Sequence, residues 1–190
     1  MPKRRSIVPF SVPADLQVGG RQSQNGNCWM FVDTGLRIGE MALLDRDAVH
    51  FEDGRAWIQI YAPKTRSYRI VIIGERTTRA LREYLDSRRD DLDALWVNRR
   101  GRRLAARGIY RMVKRRAARA GLRDRVHPHL FRKTFSTRWL DNGGDVERLR
   151  VLAGWSPETL SQMLEVYVAS QIEDLKAAHA KASPADNLTL

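Results

Sequence analysis

Apolar positions in HPHLFRKTFSTRWL (127–140) recur at Phe131, Phe135 and Trp139, every fourth residue, which marks one face of an amphipathic helix. Pro128 suits the first helical position, where its missing N–H would be unpaired in any case. A second helical stripe runs through Ile109, Met112, Val113, Ala117 and Ala120, predicting a helix over about 105–120 that ends at Gly121. Ala80, Leu81, Tyr84 and Leu85 predict another over 75–89. In AWIQIYAPKTRSYRIVII (56–73) β-branched and aromatic residues dominate both arms, predicting two strands around a turn at Pro63–Ser67. Shorter helices are expected over about 24–33, from Leu36, over 145–153, from the Ser156 cap to Tyr167, and over 171–181. AVHF (48–51) reads as a short strand, and LWVN with the Gly101 turn as a second small hairpin. The sum is an α+β domain, mainly helical, with a small antiparallel β-sheet on one side. Residues 1–22 read as an extended lead-in, 23–182 as the domain and 183–190 as a mobile tail.

Charge changes the picture. The net charge is +12, and RRGRRLAARGIYRMVKRRAARAGLRDR (99–125) holds eleven Arg and one Lys against a single acid, Asp124. Nearly the whole excess therefore lies in 27 residues, which points to a polyanionic partner. Arg107, Arg111, Lys114, Arg115 and Arg119 line the polar face of the predicted 105–120 helix, and Arg102 and Arg103 precede it. An arginine fork matches phosphate oxygens bidentately and a helix can present such a row to a groove, so nucleic acid is the expected partner. No apolar run reaches the roughly 20 residues needed to cross a bilayer. One cysteine, Cys28, excludes an internal disulfide and fits a reducing cytoplasm.

The candidate chemistry gathers on Arg37, Lys64, His129, Arg132, Trp155 and Tyr167. His129 and Arg132 stand three apart and so share a helix face beside an N-terminus, where unpaired N–H groups favour anions. Plainer roles also fit. Arg37 can pair with Glu40 one turn on, Trp155 can be a core residue after a glycine turn, and Tyr167 can pack between Leu164 and Val166. His127 rivals His129, although it precedes Pro128 and stands off the H-x-x-R register.

In order and spacing, TGLRIGE (34–40), the hairpin Lys64, HPHLFRKT (127–134), LAGW (152–155) and a tyrosine on a C-terminal helix resemble the tyrosine recombinases, or phage integrases. The resemblance implies site-specific breakage and rejoining of DNA through a covalent 3′-phosphotyrosine, without metal or nucleotide cofactor. It implies that Arg37 and Arg132 clamp the scissile phosphate with Glu40 in support. Lys64 protonates the departing 5′-oxygen, His129 exchanges a proton, Trp155 buttresses and hydrogen-bonds, and Tyr167 attacks. It implies docking of the last helix, with Ile172, Leu175 and Ala178 on one side, onto a neighbouring copy in a DNA-bound tetramer in the bacterial cytoplasm. Three departures stand out. Trp155 occupies a place more often held by histidine, Lys133 replaces a second histidine, and Ala169 stands where many members have one. The family's N-terminal core-binding domain is expected to be absent, since only about 27 residues precede the matching region. The alternatives are a non-catalytic DNA-binding protein of the same fold, or an RNA-associated basic protein.

Overall fold

The computed structural model describes residues 23–62, 66–122 and 126–183; the side chains of 23–28, 170, 173, 174 and 178 are outside the description. Among the described residues it contains helices α1 (Ser23–Thr34), α2 (Ile38–Leu43), α3 (Glu75–Asp86), α4 (Ala106–Arg119), α5 (Pro128–Asp141), α6 (Val146–Ala153) and α7 (Pro157–Ala182). Strands β1 (Val49–Glu52), β2 (Arg55–Ala62) and β3 (Ser67–Ile73) form one antiparallel sheet in the order β1-β2-β3. Two compact units are present, one closing at Gly154 and the other beginning at Trp155. The expected lead-in (1–22), the tail beyond Ser183 and Lys64 lie outside the described residues.

The sheet follows its period of two. Ala56, Ile58 and Ile60 of β2 and Val71 and Ile73 of β3 are buried, while Tyr61, Tyr68, Ile70 and Ile72 face outward. Register is set by pairs such as Ile58↔Val71 and Ala62↔Ser67. Helix α1 packs on α3 and α5, with the Phe31 ring stacked on Phe131 at 5.8 Å between centroids. Trp96 and Tyr84, both buried, stack at 5.1 Å between centroids. Helix α4 buries Ile109, Met112, Val113 and Ala117, as its stripe predicts, and Arg107, Arg111, Arg115 and Arg119 are exposed. The small hairpin around Gly101 reduces to one bridge, Val97↔Arg103.

The C-terminal part differs from expectation. The two helices anticipated over 156–167 and 171–181 are one helix of 26 residues, α7. Ser156 caps it, accepting the Thr159 N–H at 3.3 Å. No glycine or proline lies between Pro157 and Pro184, so nothing in the sequence interrupts the backbone ladder. The helix expected from Leu36 begins instead at Ile38, because Arg37 is its N-cap in extended conformation. Among the described residues no helix is long and apolar enough to cross a membrane.

Gly35 joins α1 to α2 with φ +60°, a left-handed conformation that side chains disfavour. A Cβ there would lie 2.5 Å from Cδ1 of Phe135. Gly35→Ala is therefore expected to lower stability by roughly 2–5 kcal/mol, combining left-handed strain with overpacking. Urea unfolding checks this, and a loss below about 1 kcal/mol would contradict the turn's account.

Candidate active site

The turn through Gly35 delivers Arg37 to the start of α2, with its side chain 50% exposed. Glu40, one turn later, reaches back and accepts the Arg37 backbone N–H at 2.8 Å, as in a capping box. Its other oxygen accepts from Arg37 Nη1 at 3.0 Å. The anticipated Arg37–Glu40 pair is thus present, and it belongs to a larger cluster. Arg69, on β3, places its fork across the same carboxylate, Nη1 to Oε1 at 3.0 Å and Nη2 to Oε2 at 2.8 Å. Its Nε donates to the Leu152 carbonyl at 3.2 Å.

Arg132, in the second turn of α5, is buried with 5% of its surface exposed. It donates to the Gly35 carbonyl at 2.6 Å and to the Ala153 carbonyl. One guanidinium therefore ties the α1–α2 turn to the C-terminal end of α6. Gly154 caps that end in the left-handed conformation, φ +62°, which lets the chain turn into Trp155.

The electrostatics favour an anion. Burial alone would raise the Glu40 pKa, but hydrogen bonds from Arg69 and the Arg37 backbone, together with both guanidinium charges, bring it below the ordinary value. Burial, and then the neighbouring Arg37, lower the Arg132 pKa to about 10, with Glu40 opposing and Arg69 adding to the effect. Arg132 nonetheless stays a cation at neutral pH. Three guanidiniums, those of Arg37, Arg69 and Arg132, gather around the Glu40 carboxylate in a partly desolvated cluster. Guanidiniums held close together in a partly desolvated site favour a bound anion such as a phosphodiester.

The sign of the Glu40 shift gives a pH prediction. A carboxylate with a depressed folded pKa stabilises the fold above its unfolded value and loses that contribution as pH falls through the folded pKa. Stability should therefore decline below about pH 4.5. Glu40→Gln is expected to lower stability at pH 7 and to flatten that acid limb. Urea titrations from pH 7 to pH 3 measure both, and parallel curves for the two proteins would contradict the assignment.

His127 and His129 separate cleanly. His127 is the N-cap of α5, its Nδ1 accepting the Leu130 N–H at 3.2 Å. Desolvation first, then the charges of His129 and Lys114, lower its pKa and favour the neutral ring that this acceptor role needs. His129 stands at the second helical position with an exposed ring, parallel to that of His127 at 6.5 Å. One histidine is engaged in capping, and the other is presented one turn before Arg132.

The structure thus brings together Arg37, Glu40 and Arg132 and sets His129 on the same helix as Arg132. Trp155, buried, opens the C-terminal unit, and Tyr167 is half-buried on α7 of that unit. Of the expected DNA-contacting residues, Arg102, Arg107, Arg111 and Arg115 are exposed. Arg103 is also exposed, but its guanidinium donates to the Ala42 and Leu44 carbonyls and pairs with Asp45. Lys114 is half-buried and donates to the Val126 carbonyl at 3.4 Å. The site residue that sequence reasoning missed is Arg69. Its signal was available: it shares the inward phase of β3 with Val71 and Ile73, where an arginine requires a carboxylate.

Comparison with known proteins bears on the family and the fold. The profile of the phage integrase family matches residues 27–173. Tyrosine recombinase XerD of Oceanobacillus iheyensis is 29% identical over 157 residues, covering 78% of this chain and 52% of that protein. Tyrosine recombinase XerC of Corynebacterium glutamicum is 33% identical over 154 residues, covering 80% and 48% respectively. The chain spans about half the length of these relatives. The crystal structure of XerA recombinase superposes with a TM-score of 0.71 at 29% identity, over 86% of this chain and 59% of that one. The catalytic domain of bacteriophage HP1 integrase, at 18% identity, shares the fold with a TM-score of 0.59 over 93% of this chain and 92% of that one. With a family model matched over most of its length, the chain belongs to the phage integrase family.

Proposed function

We propose that this chain is a catalytic domain, residues 23–182, that cuts and rejoins double-stranded DNA at specific sites through a covalent 3′-phosphotyrosine. The observation that carries the proposal is the Arg37–Glu40–Arg69–Arg132 cluster, three guanidiniums around one carboxylate with Arg37 half open to solvent. Relatives named tyrosine recombinases support the reaction class.

In this reading Arg37 and Arg132 hold the non-bridging oxygens of the scissile phosphate, where charge accumulates as the bond order changes. The Tyr167 oxygen attacks phosphorus and passes its proton to the His129 imidazole. The P–O5′ bond breaks, and Lys64 protonates the departing 5′-oxygen. Trp155 supports the phosphate and the nucleophile. One phosphodiester is exchanged for another, so rejoining is the same path reversed and needs no metal or nucleotide cofactor. Arg102, Arg107, Arg111 and Arg115 serve as phosphate contacts that position the duplex, with Arg103 and Lys114 holding the surface they sit on. Exposed Val168, Ile172 and Leu175 fall at i, i+4 and i+7 of α7, an apolar stripe suited to a neighbouring copy in a DNA-assembled tetramer. The reaction belongs in the bacterial cytoplasm, where the DNA is.

A pool of duplexes with randomised sequence, each nicked so that the cut fragment diffuses away, tests the proposal. A strand labelled on the 5′ side of the cut should comigrate with the protein on a denaturing gel. DNA binding that weakens steeply with salt, yet yields no covalent species, would instead identify a non-catalytic DNA-binding protein.

A further inference from the structure

Glu40 lies among three cations but is shared unevenly between them. Each of its oxygens accepts from both Arg69 and Arg37: Oε1 from Arg69 Nη1 and Arg37 Nη1, Oε2 from Arg69 Nη2 and the Arg37 backbone. The Arg69 fork is side-on and bidentate, whereas Arg37 gives a single guanidinium hydrogen bond. Arg69 and Glu40 are nearly enclosed, at 10% and 8% side-chain exposure, while Arg37 is half exposed. Arg69 is itself fixed, through Nε on the Leu152 carbonyl and by packing against Gly154, where any Cβ would lie 3.1 Å from its guanidinium.

A planar fork satisfied by one carboxylate is a strong and directional partner. Without Arg69, the nearest fork available to Glu40 is that of Arg37. Arg37 would then close onto the carboxylate bidentately and turn away from an incoming anion. We infer that Arg69 is a positioning residue that occupies Glu40 and thereby keeps the Arg37 guanidinium available to a phosphate. It acts through Glu40 and does not touch the phosphate. This rests on the reading that Arg37 is a phosphate ligand, and it assigns Arg69 a role that scaffolding alone does not require.

The test uses inorganic phosphate, so that its outcome does not depend on strand cleavage. The Arg37 Nε–Hε resonance is followed in ¹⁵N spectra as phosphate is added to the full chain, with cleavage of nicked duplex measured in parallel. Wild type should shift on titration, and Arg69→Met should bind phosphate at least tenfold more weakly. The double variant Arg69→Met/Glu40→Gln should recover most of the affinity, because the competing carboxylate is gone. A purely structural Arg69 predicts the opposite, a double variant no better than the single one, and that result would overturn the inference. So would Arg69→Met binding phosphate as wild type does, or a wild-type Arg37 resonance that ignores phosphate. Should the methionine variant fail to fold, Arg69→Lys with and without Glu40→Gln carries the same comparison, since a lysine covers one oxygen only. Phosphate binding that follows this order without any cleavage would sink the proposed reaction and leave the Arg69 inference standing.

Discussion

Arg132→Lys is expected to slow single-turnover DNA cleavage by about 10²–10³-fold, the range seen when one preorganised donor to a developing oxyanion is removed. Charge is not what the substitution removes, since lysine is also a cation. The loss is geometric. Arg132 spans from the Gly35 carbonyl to the Ala153 carbonyl, so its guanidinium plane is fixed between the α1–α2 turn and the end of α6. A lysine ammonium cannot bridge both carbonyls and still present a donor to phosphate in a defined direction. Truncation to alanine would confound the experiment, because buried carbonyls left unsatisfied cost about 1–3 kcal/mol each and would weaken the fold as well. Time courses on nicked duplex with enzyme in excess, alongside thermal melts, separate the two effects. A lysine variant within tenfold of wild type would contradict the clamp.

Tyr167→Phe is expected to abolish the covalent DNA complex outright while leaving duplex affinity within about twofold. Phenylalanine retains the ring that half-buries Tyr167 and has similar helix propensity, so α7 should persist. Only the attacking oxygen is lost, and no neighbouring group can supply its chemistry without a new geometry. Affinity should hold because phosphate contacts dominate binding and are spread over many arginines. A gel shift and a denaturing gel on the same samples give both readings. A variant that still forms the adduct would remove Tyr167 from the mechanism.

Much of this was legible in the sequence where local physics decides the outcome. The stripe of Phe131 and Phe135 places α5, the alternation over 56–73 places β2 and β3, and the basic row marks the outer face of α4. Helix ends were legible through their punctuation, as at Pro128, Ser156 and Gly154. Where punctuation is absent no boundary is legible: Ala169 and Ser170 do not break a helix, and α7 runs through them. Lys64 lies outside the described residues, and its role is the one the family resemblance implies for a hairpin lysine. The capping role of His127 was not anticipated, because proximity to a helix start does not show which of two imidazoles takes the cap. Arg69 escaped for a different reason. Its partner stands 29 positions away on another element, and pattern arguments within one segment carry no information about such a pairing. Its inward phase in β3 shows that it needs a counter-charge, and only the fold shows that the counter-charge is Glu40.

Mass mapping of the trapped DNA complex tests the central claim most directly. Trypsin should release residues 151–176, a peptide whose one tyrosine is Tyr167. This peptide should carry the nucleotide mass, joined through a 3′-phosphate to Tyr167. A nucleotide attached to a peptide bearing Tyr61, Tyr68, Tyr84 or Tyr110, or linked through a 5′-phosphate, would contradict it.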